Sequence, residues 1–161
     1  MKMQLEQDLC GQEVWFAPPD GANTTKQQVG VAWRLGRVEQ EDETSRVLIV
    51  RDIEQADKNE GEEFKLQVDD VFLANPSKQS TEDMSSLKYI NEPALLYNLE
   101  RRAVENAPYT FLGTVLVTIN PIKDVGDPKQ LLGSTKALNQ PHPYGIAERA
   151  FQQMSFAARR A

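Results

Sequence analysis

The sequence is poor in the residues that most small-molecule chemistry uses. It holds one cysteine, Cys10, and one histidine, His142. A single thiol cannot close an internal disulfide, and neither residue has a second Cys or His nearby to share a metal. Zinc chemistry and a Ser/His/Asp relay are left without support, so no catalytic residue and no metal ligand is assigned. Long apolar runs are missing too. The longest, Val47–Val50 and Val115–Val117, fall far below the roughly 20 residues that cross a bilayer. The first nine residues carry Glu6 and Asp8 and lack the apolar centre of a signal peptide. Basic residues are the minority, 18 against 24 acidic, for a net charge of −6. That balance argues against nucleic acid and against an anionic membrane surface as partners. The acidic surplus reads as solvated surface. Together these absences point to a soluble intracellular protein.

What is present divides into two segments and a linker. Residues 10–74 read as β-rich. Val14-Trp15-Phe16 is a short apolar run stopped by the turn signal Pro18-Pro19-Asp20-Gly21. Val29 to Val38 alternates, with Val31, Trp33, Leu35 and Val38 on the apolar side, as in a half-buried strand. Glu39–Ser45 reads as an acidic turn and Asp52–Glu63 as a charged loop. Val47–Val50 is short and rich in branched side chains, so a strand is expected rather than a helix. Phe64, Leu66 and Val68 alternate again, and Val71-Phe72-Leu73 closes the segment. About five short strands within this length predict a small closed barrel or sandwich, and closure would hide strand edges. Its interior is expected to hold Val14, Trp33, Leu35, Leu48, Val50, Phe64 and Leu66. Trp15 and Trp33 fit core packing better than a peptide groove, because both lie in apolar strand patterns. Cys10 has no basic neighbour to lower its pKa, so it is not read as reactive.

Residues 75–82 are polar, contain turn formers and read as a linker. From Asp83 the pattern turns mixed α and β. Asn91 can cap a helix that has Pro93 in its first turn. Leu95, Leu96 and Leu99 share one face of that helix. Arg101 and Arg102 fall in its last turn, where positive charge suits the helix dipole. Tyr109–Leu112 and Thr114–Ile119 read as strands around Gly113, the second apolar on both faces. A last helix is expected over 144–159. Its stripe is Ala147, Ala150, Phe151, Met154 and Ala158, with Glu148, Arg149 and Gln152 facing away. His142, between Pro141 and Pro143, reads as an exposed turn residue. The fold class expected from the residues is α+β.

Three stretches carry a resemblance to a known family. Asp83-Met84-Ser85-Ser86-Leu87-Lys88-Tyr89-Ile90-Asn91-Glu92-Pro93-Ala94-Leu95-Leu96-Tyr97-Asn98-Leu99 resembles the opening of the myosin motor core. Tyr109 to Pro121 resembles the strand pair that follows, ending in the family's Asn-Pro. Pro141-His142-Pro143-Tyr144-Gly145-Ile146-Ala147-Glu148-Arg149-Ala150-Phe151 resembles the helix before the phosphate-binding loop. The match covers residues 83–158, and residues 10–74 then fit the SH3-like barrel found before the motor core in many myosins. The implied layout is 10–74 barrel, 75–82 linker and 83–161 the start of an incomplete α/β motor domain.

The resemblance implies an ATP-driven, actin-based motor that is cytoplasmic and associated with the cytoskeleton. ATP and Mg2+ would be its cofactors; actin and light chains would be its partners, through other regions. It implies nucleotide-edge roles for Asn120 and Pro121, and for Lys123, where a basic residue is common in the family. At the family's adenine-pocket tyrosine, seven residues after the proline, this chain has Pro128, which supplies no ring. The Gly-x-x-x-x-Gly-Lys-Ser/Thr pattern that holds phosphates and Mg2+ does not occur in these 161 residues. No tight ATP binding and no ATP hydrolysis are therefore expected of the chain alone. The rival reading is a free-standing adaptor whose barrel binds a protein partner.

Overall fold

A computed structural model describes residues 8–19, 33–42, 44–53, 61–120, 122 and 139–158. The chain divides into two compact units, Met1–Ser77 and Lys78–Ala161. The first holds β1 (Glu13–Phe16), β2 (Arg34–Asp42), β3 (Val47–Asp52), β4 (Glu63–Gln67) and β5 (Val71–Leu73), with a 3-10 turn at Val68–Asp70. These strands form one antiparallel sheet in the order β4-β3-β2-β1-β5. The second unit holds helix α1 (Glu92–Val104), the antiparallel hairpin β6 (Tyr109–Leu112) and β7 (Val115–Thr118), and helix α2 (Pro143–Ala158). The chain is thus α+β.

The expected closure of the barrel is corrected. β4 and β5 end the ladder as edges, so the sheet is open. It still encloses one core. Phe64 and Leu66 from one edge and Val71 from the other join Val14, Phe16, Val38, Leu48 and Val50 in a single buried cluster. A sheet whose two edges share a core must curl. The register shift between Val38 and Gln40 supplies a bend, since an extra residue in one strand increases local twist. The Phe16 and Phe64 rings meet at 5.0 Å and 46° inside this core.

The interior differs from expectation on β2. Val38 faces the core, whereas Leu35, although buried, and Trp33 lie outside the cluster. Residues an odd number apart face opposite sides of a strand, so Val38 cannot share a side with Leu35. Gly36 is the residue beneath the core here, opposite Val14. Trp33 instead meets Phe72 edge-on at 5.4 Å. β2 also runs through the stretch expected as an acidic turn. Arg51 makes that possible: its Nε and a terminal nitrogen donate to both Glu39 oxygens at 2.6 and 2.8 Å, and it reaches Glu63 at 2.6 Å. The Arg51 hydrogen bond holds the Glu39 carboxyl below its ordinary range. The turn itself is built by Asp42, which accepts from the Thr44 and Ser45 N–H groups and from the Ser45 hydroxyl. Asp52, expected in a loop, ends β3 buried and paired with Arg34 at 3.3 Å. Val29, Val31, Asp20-Gly21 and residues 54–60 lie outside the described residues.

In the second unit α1 is capped as its sequence predicts. The Asn91 side chain accepts from the Ala94 N–H at 3.0 Å, with Pro93 in the first turn. Asn106, in the left-handed region at φ 59, ends it. The buried positions, however, are Pro93, Ala94, Asn98 and Arg102, while Leu96 is exposed. The expected leucine face is therefore not the buried one. Polar demand decides the rotation. Asn98 serves the Thr81 backbone, and Arg102 donates twice to the Tyr109 carbonyl, at 2.8 and 3.3 Å. Arg102 thus anchors β6 rather than simply facing the helix dipole.

α2 is corrected in the same sense. Phe151, Met154 and Phe156 are exposed and Ala147 and Ala150 lie on the surface, whereas Gly145 is buried. Arg149, expected to face away, is half-buried and stacks over the Phe111 ring at 5.2 Å. β7, apolar on both faces, leaves Val115 exposed.

Thr110 is fully buried in β6, and among the described residues its hydroxyl has no hydrogen-bond partner. A desolvated, unpaired hydroxyl is destabilising, and valine keeps the shape without it. Thr110→Val is expected to raise stability by about 1 kcal/mol. Urea unfolding of the full chain, read by amide exchange in β6, measures this. A loss of stability would show that the hydroxyl is bonded in solution.

Candidate functional site

The nucleotide-edge residues implied by resemblance follow β7. The hairpin ends as the Ile119 N–H donates to the Pro108 carbonyl at 2.9 Å. Asn120 is exposed just beyond, and its side-chain oxygen accepts from the Ile122 N–H at 3.0 Å. This is a local turn in which Ile122 adopts φ 54. It occupies the amide oxygen and leaves the amide nitrogen as the group that can donate to a ligand. Pro121, Lys123 and Pro128 lie outside the described residues.

The hairpin that carries Asn120 is held from three directions. Asp83 stands before a 3-10 turn at Met84–Ser86 and bridges to Phe111, while the Phe111 N–H donates to the Glu82 carbonyl at 2.8 Å. One Asp83 oxygen accepts from the Ser85 N–H and hydroxyl and from the Gly113 N–H at 3.1 Å. These bonds, the Ser85 N–H foremost, hold its carboxyl below the ordinary range. The second support is Arg102 on the Tyr109 carbonyl. The third is His142, nearly buried, whose ring meets Tyr109 at 4.8 Å and 76°. His142 is therefore not the exposed turn residue expected. The two prolines beside it permit a turn but do not say whether the ring is covered.

Sequence reasoning passed over Asp83, Asn98, Arg102 and His142 as organising residues. Asp83-x-Ser85 carried a signal, since an Asp two residues before a free N–H commonly closes a turn. Asn98 and Arg102 carried a weaker one, four residues apart on one helix face.

In the first unit, Cys10 is exposed and its thiol donates to the Glu39 carbonyl. A groove on the sheet is lined by Gln40, Glu41, Asp42, Ser45, Val47, Ile49 and Lys65. Among the described residues no group of three or more His, Cys, Asp or Glu side chains gathers to hold a metal ion. No helix among them is long and apolar enough to cross a membrane.

Comparison with known proteins adds the family. The myosin head (motor domain) family matches residues 81–160. Myosin-2 of Arabidopsis thaliana is 31% identical over 127 residues, which is 76% of this chain and 10% of that protein. The Myosin-H heavy chain of Dictyostelium discoideum is 29% identical over 156 residues, 90% of this chain and 8% of its own length. Human unconventional myosin-VI is 33% identical over 101 residues, 58% of this chain and 8% of that protein. The chain thus spans a tenth or less of these relatives. The matched range begins at Thr81, whose backbone Asn98 holds, and runs through Asp83, the β6–β7 hairpin and α2. The chain belongs to the myosin family, with residues 81–160 forming an N-terminal portion of its head, the motor domain.

Proposed function

We propose that this chain works as part of an ATP-driven, actin-based motor, and that Asn120, with Pro121 and Lys123, edges the nucleotide pocket of the whole head. The observation that carries the reading is the myosin-head match over 81–160, the region that builds the hairpin ending at Asn120. The apolar side chains of Val115, Phe151, Met154 and Phe156, exposed here, suit surfaces that the rest of a motor head covers. Actin and light chains are partners of that larger protein, which acts in the cytoplasm on the cytoskeleton. Residues 10–74 serve as an N-terminal barrel-like module, with 75–82 leading from it into the motor segment. The family match favours this over a free-standing adaptor, which has no use for a motor-like 83–158.

ATP and Mg2+ act in the whole head. The described residues fit neither the metal nor the phosphates, so no catalytic step is assigned to them. The exposed Asn120 amide fits the edge of a base. Phosphate release from the 161-residue chain is expected to stay at background, with and without actin filaments, and a fluorescent ATP analogue is expected to show no saturable binding below about millimolar, the range of a few weak contacts. Turnover that survives purification and disappears on mutating one residue of this chain would overturn the reading. In an intact head, Asn120→Ala is expected to weaken nucleotide binding by roughly tenfold, the cost of one hydrogen bond.

A further inference from the structure

We propose that Ser80 is a phosphorylation site for an acidophilic protein kinase, and that the phosphate breaks a hydroxyl–carboxylate bond that straps the chain to the end of α1. The proposal stands apart from the motor reading. It starts from the sequence, where Ser80-Thr81-Glu82-Asp83 places acidic side chains two and three residues after a hydroxyl. No other serine or threonine in the 161 residues has an acidic residue three positions on. A kinase with a basic substrate cleft selects that pattern, because complementary charge sets partner choice.

The structure presents this hydroxyl. Residues 74–82 lie outside every helix and strand, residues 76–79 and Glu82 are exposed, and Ser80 is half-exposed. The Ser80 hydroxyl donates to Glu105, the residue that ends α1, at 2.5 Å. The same segment is tied to that helix on either side of Ser80. The Tyr97 hydroxyl donates to the Lys78 carbonyl at 3.4 Å, and Asn98 holds both backbone groups of Thr81. Ser80 is thus the middle fastening of a strap laid along α1. The neighbouring Thr81 hydroxyl is already committed, to the Asp83 carbonyl and the Ser86 hydroxyl.

The chemistry of transfer removes that fastening. A bond forms between the Ser80 Oγ and the γ-phosphorus of ATP, the bond to the β-phosphate oxygen breaks, ADP leaves, and the hydroxyl proton passes to the kinase's base. The product has no hydroxyl proton to give Glu105. It carries about −1.5 to −2 charge at neutral pH, and its oxygens, like those of the carboxylate, only accept. Two such groups cannot share a contact of 2.5 Å, so the bond is lost through the nature of its two partners, whatever cations lie around them. The end of α1 is also the negative pole of its dipole, which adds to the repulsion. Lys78 and Arg101, the cations near in sequence to Ser80 and Glu105, can receive the phosphate after it moves, but neither restores the tie to Glu105.

The site is tested by incubating the folded full chain with MgATP and casein kinase II, an acidophilic kinase, and mapping the phosphate by fragmentation mass spectrometry. A single phosphate is expected, on Ser80, and Ser80→Ala is expected to take up none. No uptake, uptake only after denaturation, or phosphate on another residue overturns the proposal. The strap is tested by amide exchange of the phosphorylated chain. Protection at the Thr81 N–H, next to Ser80 and bonded to Asn98, is expected to fall about tenfold, the ratio that one lost hydrogen bond sets. Amides of β3 are expected to hold. Unchanged protection at Thr81 in the phosphorylated chain would show that the Ser80–Glu105 bond fastens nothing, and the proposed release would be wrong.

Discussion

Gly36→Ala is expected to lower the thermal midpoint of the first unit by about 10 °C, from an overpacking cost of roughly 1–3 kcal/mol in a unit this small. Gly36 sits on β2 between Val14 of β1 and Asp52 of β3. A methyl group there would overlap a Val50 methyl and lie 2.9 Å from both the Arg51 carbonyl oxygen and the Phe16 ring. Val50 and Phe16 are fully buried, and the Arg51 carbonyl belongs to the ladder, so none of the three retreats freely. The objection is space rather than backbone conformation. Alanine's better strand entropy returns only about 0.5–1 kcal/mol. Both tryptophans, Trp15 and Trp33, belong to this unit. Tryptophan fluorescence of the whole chain therefore reads its melting selectively. A midpoint equal to wild type would mean that the sheet opens to admit the methyl, and the account of its curled core would be wrong.

Asn98→Ala is expected to destabilise the second unit by about 2–4 kcal/mol, since two backbone groups lose their partner. Asn98 is buried on α1 and treats residue 81 as a strand would. Its oxygen accepts from the Thr81 N–H at 2.7 Å, and its nitrogen donates to the Thr81 carbonyl at 3.2 Å. The Glu82 carbonyl next along accepts from Phe111, so the same segment ties α1 to the hairpin that ends at Asn120. Asn98→Leu keeps most of the volume and none of the bonds, and is expected to cost as much as alanine. All four tyrosines lie in this unit, so tyrosine near-ultraviolet signals and exchange at Thr81 and Phe111 report its unfolding. Loss below about 0.5 kcal/mol for both variants would show that water replaces the amide, and Asn98 would no longer count as the residue that orients α1.

The sequence by itself determined the local features. The Asn91 cap and Pro93 placed the start of α1. Branched runs placed β3 and β7, Gly113 placed the hairpin turn, and the 83–158 motifs carried the family. Each of these depends on neighbours within a few residues. Only the tertiary structure decided what faces the core. Leu35 and Val38 were read on one side of β2 although strand parity separates them, and Gly36 is the core position because Phe16 and Val50 fill the space above it. The leucines of α1 gave way to Asn98 and Arg102, because unpaired backbone groups at Thr81 and Tyr109 demand partners more strongly than an extra leucine demands cover. His142 was covered by packing against the Tyr109 ring. These outcomes depend on hydrogen-bond demand and packing between residues 7 to 33 positions apart, a range that period and propensity do not record.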